Sequence, residues 1–171
     1  MPAFVTVRNG PFAGMGEARV RRWADRMLRC LGLEEAELSI ALTGDEEIHE
    51  LNRAYRRRDQ PTDVLAFAMR EGEHVGARPT GLEPGRKSDA RAPLPVELLG
   101  DVVISVDTAR RQAKERRRPL ANEVRELLAH GVLHLVGYDH QTAPEERAMK
   151  AETRRLCRAA AKGERAVRVR R

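Results

Sequence analysis

The sequence predicts an α+β domain: one mixed sheet of about four strands packed with helices, and a metal site at the end of one helix. Three observations carry that prediction. Four short stretches rich in β-branched and apolar residues are interspersed with stretches whose apolar residues recur at helical spacing. Their order reads β-α-β-α-β-loop-β-α-α-α. Three of the five histidines, His130, His134 and His140, fall within eleven residues, across a glycine placed to end a helix.

The elements follow in order. "AFVTV" (3–7) is a short β-branched and aromatic strand. "GEARVRRWADRMLRCLGL" sets Val20, Trp23, Met27, Leu28 and Leu31 at helical spacing, with Gly32 ending the helix and Trp23 in the core. "ELSIALT" (37–43) alternates Leu38, Ile40 and Leu42, as a half-buried strand does. In "GDEEIHELNRAYR", Ile48, Leu51 and Tyr55 form one helical face, acidic residues occupy the first turn, and His49 lies off the face as a solvated side chain. "DQPTDVLAFAM" turns at Pro61 into an apolar strand from about 64 to 69.

Residues 71–95 hold four glycines, four prolines and almost no periodicity, so they read as a flexible insertion, with His74 solvated inside it. "LLGDVVISVD" (98–107) is a buried strand and "TARRQAKERRR" a basic helix. Pro119 starts the next helix, whose apolar side carries Val124, Leu127, Leu128 and Leu135. Thr142 and Glu145 have capping-box spacing at the head of a last helix. The chain divides into one catalytic domain, 1–161, and a basic tail, 162–171, with no internal repeats.

A chain of 171 residues with 41% hydrophobic and 34% charged residues is a globular protein with room for one core. No secretory signal is expected at its start, and no segment approaches the ~20 apolar residues that span a bilayer. Cys30 and Cys157 stand apart, outside any C-x-x-C pair, as reduced thiols of a cytoplasmic protein do. The net charge of +6 suits a polyanionic partner such as nucleic acid.

His130 and His134, four apart, share one helix face. Alone that pair is a weak signal. Gly137 can take a left-handed turn that brings His140 to the same point. Three neutral imidazoles suit zinc and leave a fourth position for water or substrate, as in catalytic rather than structural sites. The spacing H-x3-H-x2-G-x2-H is that of the H-E-x-x-H-x-x-G-x-x-H zinc proteases, but the glutamate position holds Gly131. Peptide hydrolysis needs that acid/base help. Phosphodiester chemistry leans more on charge neutralisation, by a metal and an arginine.

"HGVLHLVGYDH" resembles the H-G-x-L-H-L-x-G-Y-D-H signature of the YbeY family of bacterial endoribonucleases and rRNA maturation factors. "ELNRAYRRRDQPTDVLAFAM" is similar to the family's L-N-x-x-Y-R-x-x-D-x-P-T-D-V-L-S-F-P block, and "LGDVVISVDTARRQA" to its L-G-D-I-x-I-S segment. The resemblance implies one zinc per chain on His130, His134 and His140. It implies cleavage of single-stranded RNA in small-subunit (16S) rRNA 3′-end maturation and ribosome quality control, and RNA rather than DNA or membrane as partner. It identifies Arg56 with the family's conserved arginine, so that Arg56 and His134 are the expected catalytic residues. Ala66 and Ala68 depart from the family's Ser and Pro.

Asp139 and Asp63 are candidates for orienting an imidazole or lining the cleft. Arg57, Arg110, Arg111 and Lys114 are candidates for gripping an RNA backbone, a sequence-blind contact. With aromatic residues at 4%, few side chains could stack on bases. Two other readings compete: an RNA-binding assembly factor with a structural zinc, and a zinc hydrolase of another substrate class.

Overall fold

The computed structural model of the chain describes residues 3–69 and 97–164. The insertion expected at 71–95, with His74, and the tail beyond residue 164 lie outside the described residues. Four strands, β1 (Ala3–Val7), β2 (Glu37–Thr43), β3 (Val64–Ala68) and β4 (Leu98–Ser105), form one mixed sheet in the order β1-β2-β4-β3. β1 and β4 run parallel to β2, whereas β3 is antiparallel to β4 and forms an edge. The helices are α1 (Glu17–Cys30), α2 (Asp45–Arg56), α3 (Val106–Glu115), α4 (Leu120–Leu135) and α5 (Ala143–Ala161). This is the predicted α+β class.

Strand alternation decides which residues face which layer. Leu38, Ile40 and Leu42 of β2, with Val102 and Ile104 of β4, join the main core with α1, α4 and α5. Ala41, Leu65 and Val103 face the other side, where Ile48 of α2 covers them. Val64 and Ala66 therefore point toward α4, while Leu65 and Phe67 point toward α2. β3 forms the boundary between the two faces.

Two predicted features differ. The strand expected to reach residue 107 stops at Ser105, whose hydroxyl accepts the Thr108 N–H at 3.2 Å and starts α3 two residues early. A serine side chain at that position competes with the ladder for backbone donors. Tyr55, expected on the buried face of α2, is 68% exposed. Asn52, one turn after Ile48, is buried instead. The Thr142–Glu145 capping box forms as its spacing predicts.

Candidate metal centre

α4 lies against β3 and β4 at a glycine. A Cβ placed on Gly131 would sit 2.6 Å from Cγ1 of buried Val102 and 3.4 Å from Val64. The position that holds a glutamate in the proteases therefore faces the sheet at a distance that admits no side chain. The flanking turn of α4 is free to carry His130, and the next turn His134.

α4 ends in a Schellman motif. The Tyr138 N–H reaches the Leu133 carbonyl at 3.0 Å and the Gly137 N–H reaches the His134 carbonyl at 3.1 Å. The motif needs a left-handed residue, and Gly137 supplies it at φ 98°. The reversed chain delivers His140 to the other two rings. Asp139 caps this turn by accepting the His140 N–H at 2.7 Å. Its carboxylate stands 3.9 Å from His140 Nδ1.

Nε2 of His130 and Nε2 of His134 are 3.0 Å apart, and one nitrogen from each of the three rings lies within 4.8 Å of the others. Nitrogens bound tetrahedrally to zinc are about 3.3 Å apart, so the widest pair needs to close by at most about 1.5 Å to hold one ion. Burial, reinforced by the neighbouring imidazoles, pushes His130 and His134 below the ordinary histidine pKa. Both are thus neutral, the form a metal binds. The residues present fit the group. His130 and His134 are half-buried, but the His140 side chain is 54% exposed, so the cluster is open on one side.

A cleft of about 520 Å³ runs along this open side. The three histidines and Gly131 form one wall, residues 62–66 the base, and Asn52, Arg56 and Arg58 the other wall. Arg56 donates from Nη2 to the Ala66 carbonyl at 2.8 Å, with its guanidinium 5.8 Å from the Phe67 ring centre. The outer edge of β3, unpaired among the described residues, thus anchors the arginine. Arg57 takes the left-handed conformation that ends α2, at φ 55°, and does not line the cleft. Asp63 does line it. Its Oδ1 accepts the Val64 N–H at 2.8 Å and its Oδ2 accepts the Gln112 amide at 3.1 Å.

The basic residues of α3 are elsewhere. Arg111 is bound to Asp45 at 2.7 Å, Arg110 lies 3.8 Å from Asp107, and Lys114 is exposed; none lines the cleft. His49, read as solvated, is half-buried and pairs with Asp59 at 2.8 Å. Asn52 and Gln112 are the cleft-shaping residues that sequence reasoning missed. The Asn52 side-chain amide donates to the Gln60 carbonyl at 2.7 Å, and its backbone carbonyl accepts the Arg58 N–H at 3.3 Å, pinning the loop that presents Arg58 and Asp63. Its signal was available: an amide one turn beyond Ile48 on the apolar face of α2.

The family model described as Endoribonuclease YbeY matches residues 13–161. A protein named Endoribonuclease YbeY from Aquifex aeolicus is 44% identical over 128 residues, 75% of this chain and 72% of that protein. One of the same name from Syntrophotalea carbinolica is 47% identical over 131 residues, 77% of this chain and 76% of its own. The solution structure of TM1509 from Thermotoga maritima superposes with a TM-score of 0.57 at 19% identity, over 98% of this chain and all of that one, a likeness of fold.

Proposed function

The chain belongs to the YbeY family of endoribonucleases, and on that premise we propose that it is a zinc-dependent enzyme cutting single-stranded RNA. In this reading it acts in the cytoplasm on the small ribosomal subunit, in 16S rRNA 3′-end maturation and ribosome quality control. His130, His134 and His140 hold one ion per chain. Once bound, the ion supplies Lewis-acid stabilisation of the charge that develops on a phosphoryl oxygen.

Arg56 binds the scissile phosphate. One of its five donors is held by the Ala66 carbonyl, which leaves the rest of the fork for two phosphate oxygens. Because strand and Phe67 fix the guanidinium beforehand, less freedom is lost on binding. Arg58 extends the positive wall, and Asp63 and Asp139 hold the strand start and the histidine turn. Arg57, Arg110 and Lys114 add backbone contacts outside the cleft, and Arg111, committed to Asp45, adds least. With no side chain at Gly131 and the Asp63 oxygens engaged, catalysis relies on charge and positioning, which suits phosphoryl transfer better than peptide hydrolysis.

One observation carries the reading: three imidazoles converge with an open side onto a cleft whose opposite wall presents two arginines. The exposure of His140 argues against a closed structural metal. The test is metal content and single-stranded RNA cleavage by the wild type, His134→Ala and Arg56→Ala. His134→Ala is expected to lose ion and cleavage but keep its fold. Arg56→Ala should keep the ion and lose kcat by roughly 10²–10³-fold. Equal cleavage by all three defeats the assignment. For the rRNA role, cells with only the His134→Ala chain should accumulate 3′-extended 16S precursor.

A further inference from the structure

The histidines are lined on both sides. Opposite the arginine cleft, between α4 and α5, a second depression of about 430 Å³ has His130 and His140 on its wall. Positions 146, 149, 150, 153, 154 and 157 of α5 line it, one helical stripe. Met149, 3% exposed, contributes apolar surface from within. Cys157 beside it is a free thiol that burial pushes up to about 11, so it remains uncharged and acts as a small apolar surface.

Resting on the function proposed above, we propose that this depression is a nucleobase subsite. It receives the base of the nucleotide flanking the scissile phosphate on the side away from Arg56. Continuity with the histidines is the first argument. A strand whose phosphate lies at the three rings has one neighbour in the arginine cleft and the other at this pocket. Charge is the second. Glu126 and Glu146 line the pocket together with Lys150 and Arg154, so its charged side chains balance and it suits a neutral base better than a further phosphate. Both carboxylates are already paired, Glu126 with Arg118 at 2.6 Å and Glu146 with Lys150 at 2.7 Å, so they do not draw a cation in. Arg154 is the third. It is exposed at the pocket rim without an ion-pair partner among the described residues, and a guanidinium plane stacks on a base. Single-strand specificity follows, since only an unpaired base can be turned into such a pocket.

The test uses a short single-stranded RNA with a mapped cut and two versions with one abasic ribose, immediately 5′ or immediately 3′ of the scissile phosphate. The full-length, metal-loaded wild type should show a KM raised on the order of tenfold for one abasic position only, with kcat nearly constant. Thr153→Trp, which fills the pocket, should raise KM on the intact RNA similarly and lose nothing further with that abasic substrate. Arg154→Ala changes an exposed side chain and should raise KM severalfold with unchanged melting temperature and metal content. Normal KM for both variants, or equal sensitivity to both abasic positions, overturns the subsite. No cleavage by the metal-loaded wild type overturns the underlying function instead, and the subsite with it.

Discussion

At the residue scale, one unusual acid is Glu123. Its side chain is 1% exposed, yet it lies two turns before His130 on α4, held by Arg118 at 2.6 Å and Arg116 at 2.9 Å. Arg118 also reaches Glu126 at 2.6 Å, and these carboxylates push its pKa up. The cluster ties the α3–α4 turn to the helix that carries two histidines. Glu123→Ala should destabilise by about 1–3 kcal/mol, because Arg118 keeps Glu126 but loses its second carboxylate and Arg116 loses its nearer one; urea denaturation with and without zinc measures it. Arg56→Lys should recover only part of the activity lost in Arg56→Ala, since an ammonium cannot serve a carbonyl and two phosphate oxygens in one plane. The histidine triad was legible in the sequence because its spacing is local. Gln112 and Glu123 were not, because each matters through partners that only the packed fold brings near, whereas Asn52 was signalled by its place on the apolar face of α2.

At the element scale, the closeness of α4 to the sheet decides what the site can do. Gly131→Ala adds helix propensity worth under about 1 kcal/mol, but its methyl would come within 2.6 Å of Val102, a β-branched side chain buried on all sides. The expected net effect is a loss of about 1–3 kcal/mol with weaker RNA cleavage, as the histidine turn moves off the sheet. A gain in denaturation midpoint would contradict it. β1 and β2 were readable to the residue, since alternation is strong and both ends are marked by polar or turn residues. The β4–α3 junction was not. A buried strand runs straight into an apolar helix start at Val106, and only the hydroxyl of Ser105 marks the change. Sheet order was also invisible, since no local pattern says that β3 turns antiparallel to become the edge that holds Arg56.

At the scale of the whole molecule, charged clasps join distant segments. Glu164 accepts from Trp23 Nε1 at 2.8 Å, Arg125 at 2.7 Å and Arg19 at 3.1 Å, and both guanidiniums stack on the Trp23 ring. This closes the end of the described chain onto α1 and α4. Burial raises the Glu164 pKa, but the hydrogen bonds from Arg19 and Trp23 and the two positive charges outweigh it and hold it below the ordinary value. Asp45 and Glu47 are likewise lowered, their hydrogen bonds and arginine partners together overcoming burial. Groups with depressed folded pKa values stabilise above the unfolded value and lose that contribution as pH falls through the folded one. Asp25, raised chiefly by burial, works in the opposite direction. Glu146, held low by Lys150, joins the first three, and His130 and His134 are also depressed. The metal-free protein should therefore lose stability as pH falls below about 6.5 and further below about 4.5; a flat urea midpoint from pH 7 to pH 3 would contradict this.

RNA binding should weaken with salt. Phosphate contacts from Arg56 and Arg58 in the cleft and from Arg57, Arg110 and Lys114 outside it give a slope of log affinity against log salt of about −3 to −4 for a single strand.

The most direct measurement strips the chain of metal and adds zinc back stepwise, following bound ion and single-stranded RNA cleavage in the same samples. Cleavage should be absent at the start, rise in proportion to zinc and level off at one equivalent per chain. Full cleavage by the stripped protein, or one tightly bound equivalent with no cleavage, would contradict the role given to His130, His134 and His140.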